Sequence, residues 1–430
     1  MRRRSSLLSL ALALLLPLAP LALELISPSA VARAQDRPRR ARRRRPRVRA
    51  TEPGGLALEI VARIQTSVQP KSVSVSPDGS RISVCNFGRA GEENVYVYDA
   101  SSFERLGSVS FEGNAVESVF SADRRTLYVS NFQRHVVEEI DLETFVVRRE
   151  IRVGYNPKFM VLSADGRFLY VANWSMRSVS VVDTERGEQI RRLRTGVHPR
   201  GLAAHPDGRL LVASFNDDFV QVFSEGGEEE LGRFETCAYP RHLQLAPDGE
   251  MVFVTCTLGS IGWYGIDDGF RRGVARTGRN PRSLGISSDG RFVATANFDS
   301  SDVSLADLSE MTHRTSEVPG ANRLVGLAIQ PGPGLRVYVT SWRTAELIVL
   351  EPRGAIPGSE ASPEASPEAA PEAAPEAPPE APPEAPAPAR SAAAESEPPP
   401  AESDSPGAEA APEALGPRPP LGPRWPRPGA

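Results

Sequence analysis

Five basic residues stand directly behind five prolines in this chain. Lys71, Lys158, Arg200, Arg241 and Arg282 follow Pro70, Pro157, Pro199, Pro240 and Pro281. Arg323 is a candidate for a further copy of the pattern, and one copy breaks it with Ala115 and Val116. If the units that carry these cations close into a ring, the charges converge on one opening. Such an opening focuses a positive field and concentrates anions. A plainer reading is also open, in which each cation pairs with an aspartate of the next unit. Two histidines share the same linkers: His198 precedes Pro199, and His242 lies two residues after Pro240. With Arg200 and Arg241 they form a candidate polar cluster over the fourth and fifth copies. Two histidines fall short of a metal site, which needs three or four convergent ligands.

Other chemistry-bearing patterns are missing. There is no Cys-x-x-Cys-His for covalent haem. There is no HExxH, phosphate loop, dinucleotide fingerprint or Gly-x-Ser-x-Gly either, so no cofactor is expected. The three cysteines are Cys85, Cys237 and Cys256. In the repeat register Cys237 lies in a linker and Cys256 ends a strand across the same hairpin. That places them within reach of a disulfide, which an oxidising compartment permits. The alternative is three thiols, and Cys85 is left over in both cases.

The elements that position these residues recur between residues 69 and 354. Five copies are a proline, an alternating apolar run, Asp-Gly, and a denser run that ends in a small residue or Asn; two looser copies are GNAVESVFSADRRTLYVSN and LVGLAIQPGPGLRVYVTS, the last with Pro333-Gly334 at the turn. Examples are YNPKFMVLSADGRFLYVAN and NPRSLGISSDGRFVATAN. The turn aspartates Asp78, Asp123, Asp165, Asp207, Asp248 and Asp289 are spaced by 45, 42, 42, 41 and 41 residues. That period holds four short strands. Period-two alternation on both sides of Asp-Gly reads as a hairpin, because glycine tolerates positive φ. A third and a fourth run follow, as in SVSVVD (178–183) and RRLRT (191–195). Four strands repeated seven times, with no helical segment between them, predict an all-β chain folded as a seven-bladed β-propeller. The seventh copy shows only three strands. Residues 58–66 resemble the missing fourth one, so they are expected to close the ring within one chain and leave no free edge.

Further recurring positions read as structural. An aromatic follows the second strand in six copies: Phe87, Phe132, Trp174, Phe215, Phe298 and Trp342, with Thr257 in the remaining one. Interblade packing explains such a ring. Asn86, Asn131, Asn173 and Asn297 precede it and suit backbone capping. The phrases SADGRFLYVANW, SADRRTLYVSN and RVYVTS resemble the YVTN family of β-propeller repeats over roughly residues 58–354. The resemblance implies the propeller fold and, from the family's surface-layer and secreted members, an exported protein. It implies no particular activity.

The two ends differ from the repeat. Arg2-Arg3-Arg4, an apolar run from Leu7 to Leu23 and Ala32-Arg33-Ala34 have the form of a secretory signal peptide over residues 1–34. Residues 35–57 are expected to be a disordered basic arm, with nine arginines between 37 and 49. The propeller then spans 58–354. Residues 355–430 hold 22 of the 40 prolines and form a Pro/Glu/Ala-rich tail expected to be disordered. The formal charge is −9 over 355–430, +8 over 35–50 and −6 over the part between, so the overall −4 hides a bipolar chain.

These features predict a non-enzymatic binding or scaffold module in the periplasm or at the cell surface. Its expected partner is an envelope polyanion or a protein, with no specific nucleic acid and with peripheral membrane contact through the arginine-rich arm. The alternative is a metal-dependent hydrolase, lactonase-like or a phosphoesterase, working at the channel mouth; whether a metal is bound stays open.

Overall fold

Every copy of the repeat becomes one four-stranded antiparallel sheet, and seven such sheets are arranged as blades around a central channel. The structure is a computed structural model that describes residues 46–88 and 92–356. The signal-like segment, residues 35–45 of the basic arm and the tail beyond residue 356 lie outside the described residues. Blade three shows the common plan. Its strands run Pro157–Leu162, Phe168–Asn173, Ser178–Asp183 and Glu188–Arg194, in order from channel to rim.

Burial follows the composition of each run. The second strand, FLYVAN, and the third, SVSVVD, are buried at every position. The fourth strand, EQIRRLR, alternates exposed with partly buried residues because only one of its edges is paired. Fully burying a side chain such as Tyr170 or Leu169 contributes about 1.5–3 kcal/mol. The hydrophobic clusters straddle neighbouring blades. One joins Tyr170, Val181 and Leu202, for example, across blades three and four. A blade therefore completes its core only against the next blade.

The hairpin between the first two strands is set by the turn aspartate. In blade three the Asp165 carboxylate accepts the Ser163 hydroxyl at 2.6 Å and the Arg167 N–H at 3.1 Å, and Gly166 takes φ 73°. Asp78 and Asp289 repeat this with Ser76 and Ser287.

Closure occurs where the sequence places it. Leu58–Gln65 pairs antiparallel with Glu346–Pro352 and supplies the outer strand of blade seven. At this junction the innermost strands of blades seven and one touch at the backbone. A Cβ on Gly326 would sit 2.7 Å from the Ser72 Cα, so only glycine fits.

Order begins earlier than residue 58. Arg49–Ala50 pairs in parallel with Arg271–Arg276, the outer strand of blade five. Glu52–Pro53 then pairs in parallel with Thr312–Glu317, the outer strand of blade six. The expected disordered arm of 35–57 is therefore ordered from residue 46. The physical reason is the outer edge itself. Its unpaired N–H and C=O groups lie along the path to residue 58, and the short segment satisfies some of them. The Thr51 N–H bonds the Val274 carbonyl at 3.1 Å, and the Gly54 N–H bonds the His313 carbonyl at 2.8 Å.

Candidate functional site: the basic channel mouth

The linkers that deliver each chain segment from rim to channel share one backbone kink. The residue before the innermost strand is left-handed in six blades: Gln69, Asn156, His198, Tyr239, Asn280 and Arg323, with φ between 54° and 62°. Proline then opens the strand in five of them, where its missing N–H costs no ladder bond. Directly after this first residue the pairing register slips in all seven blades, as between Pro157 and Met160 or Pro240 and Leu243. Such bulges bend the strand and re-aim the side chains within them. The residues after the proline sit inside the bulge, and they line the mouth of the channel.

Lys71, Lys158, Arg200, Arg241 and Arg282 are brought together there, around a cavity of about 40 Å³. His242 lines the same cavity. His198 does not: its ring stacks on Trp174 at 4.4 Å, and its Nδ1 lies 2.6 Å from the Asn216 Oδ1. His198 stands at the left-handed kink and is not among the residues that line the cavity with His242. Arg323 sits at this same kink position, and Val325 takes the cation's place in blade seven. Val116 takes it in blade two.

The aromatic ring and the cations prove to be one construction. Lys158 Nζ lies 3.8 Å from the Trp174 ring centre, and the Arg282 guanidinium lies 3.5 Å from that of Phe298. Lys71 approaches Trp342 at 5.1 Å, Arg200 approaches Trp174 at 5.4 Å, and Arg241 approaches Phe215 at 5.2 Å. Each such contact contributes about 0.5–2 kcal/mol and holds a long side chain in place without neutralising it. Where blade five lacks the aromatic, Tyr239 from its linker packs on Phe215 at 5.4 Å.

Two further groups shape the cavity. His242 meets Phe159 edge-on at 4.6 Å, and its Nδ1 accepts the Leu284 N–H at 3.2 Å, which leaves the ring proton on Nε2. Burial, helped by the Arg200 charge, holds its pKa down at about 3, so the ring is neutral. Glu117 of blade two is the single carboxyl in the lining. Burial pushes it up to about 8, against the Ser118 amide, the Ser72 hydroxyl and the charges of Arg200 and Lys71. Sequence reasoning missed Glu117, because it lies one residue beyond the break in the cation pattern. The break itself was the available signal.

Cys237 and Cys256 are joined by a disulfide with a Cα–Cα separation of 5.7 Å, which ties blade five's linker to its second strand. Cys85 is a buried free thiol, raised to about 12 by burial. Among the described residues no group of three or more His, Cys, Asp or Glu could hold a metal ion. No described helix is long and apolar enough to cross a membrane.

The fold and the ring of repeats define a seven-bladed β-propeller. A family model described as YNCE-like beta-propeller matches residues 56–208, which likens this part of the chain to the YVTN/YNCE type of propeller. Among solved structures it is similar to Kuenenia stuttgartiensis Hydrazine Synthase, at 18% identity over 66% of this chain and 96% of that one, with a TM-score of 0.56. It is also similar to the Myceliophteria thermophila Cps50 (Swd1) beta-propeller domain, at 13% identity over 68% of this chain and 99% of that one, with a TM-score of 0.59. At these identities the likeness concerns the fold alone. No curated protein matches the chain.

Proposed function

We propose that this protein is an exported, non-enzymatic β-propeller that binds an anionic ligand at its channel mouth and acts as a binding or scaffold module in the cell envelope. The observation that carries this reading is the convergence of five cations from five blades on one cavity, against a single carboxyl, in a ring domain whose own charge is −6. Low-dielectric walls focus that field into the opening. Export is supported by the signal-like residues 1–34 and by the disulfide, since such bonds persist in oxidising compartments. The arginine-rich residues 37–45 add a second, sequence-unspecific attraction for envelope polyanions or anionic lipid.

The test separates the mouth from the arm. Binding of inorganic phosphate and of heparin is measured on the mature chain, on a chain starting at residue 46, and on Lys158→Met with Arg241→Met. Loss of phosphate binding in the double variant, with heparin binding weakened by the truncation, supports the assignment. Phosphate binding that survives the double variant refutes the mouth. Fractionation of cells and the mass of the mature N-terminus decide the export half, with cleavage after Ala34 expected.

A further inference from the structure

The break in the cation ring gives the site a chemical preference, and this inference rests on the anion-binding reading just made. We propose that the mouth selects an oxyanion that carries its own proton, hydrogen phosphate in particular, and that Glu117 is the residue that reads this proton. The geometry behind it is the set of charged groups in the lining, beside the Ser72 and Ser283 hydroxyls, which can donate or accept. The cavity of about 40 Å³ has room for roughly three waters or one tetrahedral oxyanion. Five cations line it, and each supplies N–H donors only. His242 is also a donor, because its Nδ1 is committed to the Leu284 N–H. Glu117 alone can accept a hydrogen bond from a bound ligand through a carboxylate.

A carboxylate and an oxyanion oxygen that meet in such a cavity need one proton between them. Without it two acceptors face each other and repel. Hydrogen phosphate brings that proton and donates its P–O–H to the ionised Glu117. Sulfate brings none. It can bind only when Glu117 is itself protonated, so in alkaline solution its binding must draw a proton from water. Phosphomonoesters behave as sulfate does once their second proton is gone, above about pH 6. The site thus distinguishes free phosphate from an ester headgroup.

The surroundings of Glu117 set where this selection begins. The charges of Arg200 and Lys71 favour its ionised form, and Lys158, Arg241 and Arg282 line the same cavity. His242 is neutral and leaves that balance unchanged, and the Cys85 thiol behind it stays protonated. Burial outweighs the cations and keeps the carboxyl protonated to about 8. Selection against sulfate therefore begins above neutrality.

The experiment is calorimetric titration of the whole mature protein with inorganic phosphate, sulfate and glycerol 3-phosphate, at about pH 6 and about pH 9 in buffers of different ionisation enthalpy. Comparable phosphate and sulfate affinities at the lower pH are expected. At the higher pH sulfate and glycerol 3-phosphate should weaken about tenfold relative to phosphate, since one pH unit beyond a pKa is a factor of ten. Glu117→Gln, which keeps the size and a donor but cannot ionise, should make sulfate affinity independent of pH. Glu117→Asp should restore the dependence. Equal affinities at the higher pH, or an unchanged sulfate profile in Glu117→Gln, overturns the role of Glu117 while leaving an anion site. Failure of all three anions to bind at either pH overturns the anion site as well.

Discussion

The innermost strand of each blade joins two faces of the ring that carry opposite charges for different reasons. At one end lie the turn aspartates, and at the other lie the linker cations. The aspartates spend their charge locally. Asp78 accepts from Ser76 at 2.7 Å and pairs with Arg124 of the next blade's turn, and Asp123 and Asp165 are held by Ser121 and Ser163. The cations also lie against aromatic rings, which help to orient them. Duplication repeats both features, yet only the linker face gathers its charges around a common cavity. The channel axis makes the difference. Turn residues close on their own strand, whereas the bulge behind the linker directs side chains inward.

Disrupting the linker face should have the largest effect. Cys237→Ser opens a cross-link spanning 19 residues and should cost about 3 kcal/mol, read as a lower denaturation midpoint that reductant reproduces in the parent protein. A single mouth substitution such as Arg200→Met should weaken phosphate binding about tenfold, or about 1.4 kcal/mol, with a smaller loss of stability from the contact with Trp174. On the turn face, Asp165→Ala should cost about 1 kcal/mol of stability through two lost hydrogen bonds and leave phosphate affinity unchanged. If it weakens phosphate binding instead, the separation of the two faces fails.

Titrations carry opposite signs on the two faces. The serine hydroxyl bonds hold Asp78, Asp123 and Asp165 below the ordinary carboxylate value of 3.8. Their stabilisation is present above that value and is lost as pH falls through the depressed ones, so urea midpoints should drop on acidification. Glu117 runs the other way. Its folded value of about 8 exceeds the ordinary 4.5, so its share of stability is intact below 4.5 and disappears as pH rises through 8. A midpoint that falls between about pH 5 and pH 9 in the parent but not in Glu117→Gln would confirm this sign.

Much of the frame was legible in the chain. The Asp-Gly turns, the dense second strands such as FLYVAN and the orphan strand at 58–66 each depend on local periodicity, and each has the pairing that periodicity implies. Less was legible at the site. Arg323 looked like a sixth cation because sequence spacing cannot tell the left-handed kink position, which it occupies, from the cavity-lining position two residues on, which is Val325. His198 and His242 looked like neighbours for the same reason. Residues 46–57 read as a continuation of the arginine arm because their pairing is with the edges of blades five and six, more than 200 residues away.

Composition and periodicity by themselves determined the number of blades, their strand content, the closing strand and the identity of the recurring cations, because each of these is written within one repeat length. Tertiary structure alone decided which recurring residues meet. Ring closure converts one position per repeat into a shared cavity, the bulge selects which side chains enter it, and burial there keeps Glu117 protonated and His242 neutral near pH 7. Those outcomes depend on distances across the channel and on the loss of water, and a linear pattern encodes neither.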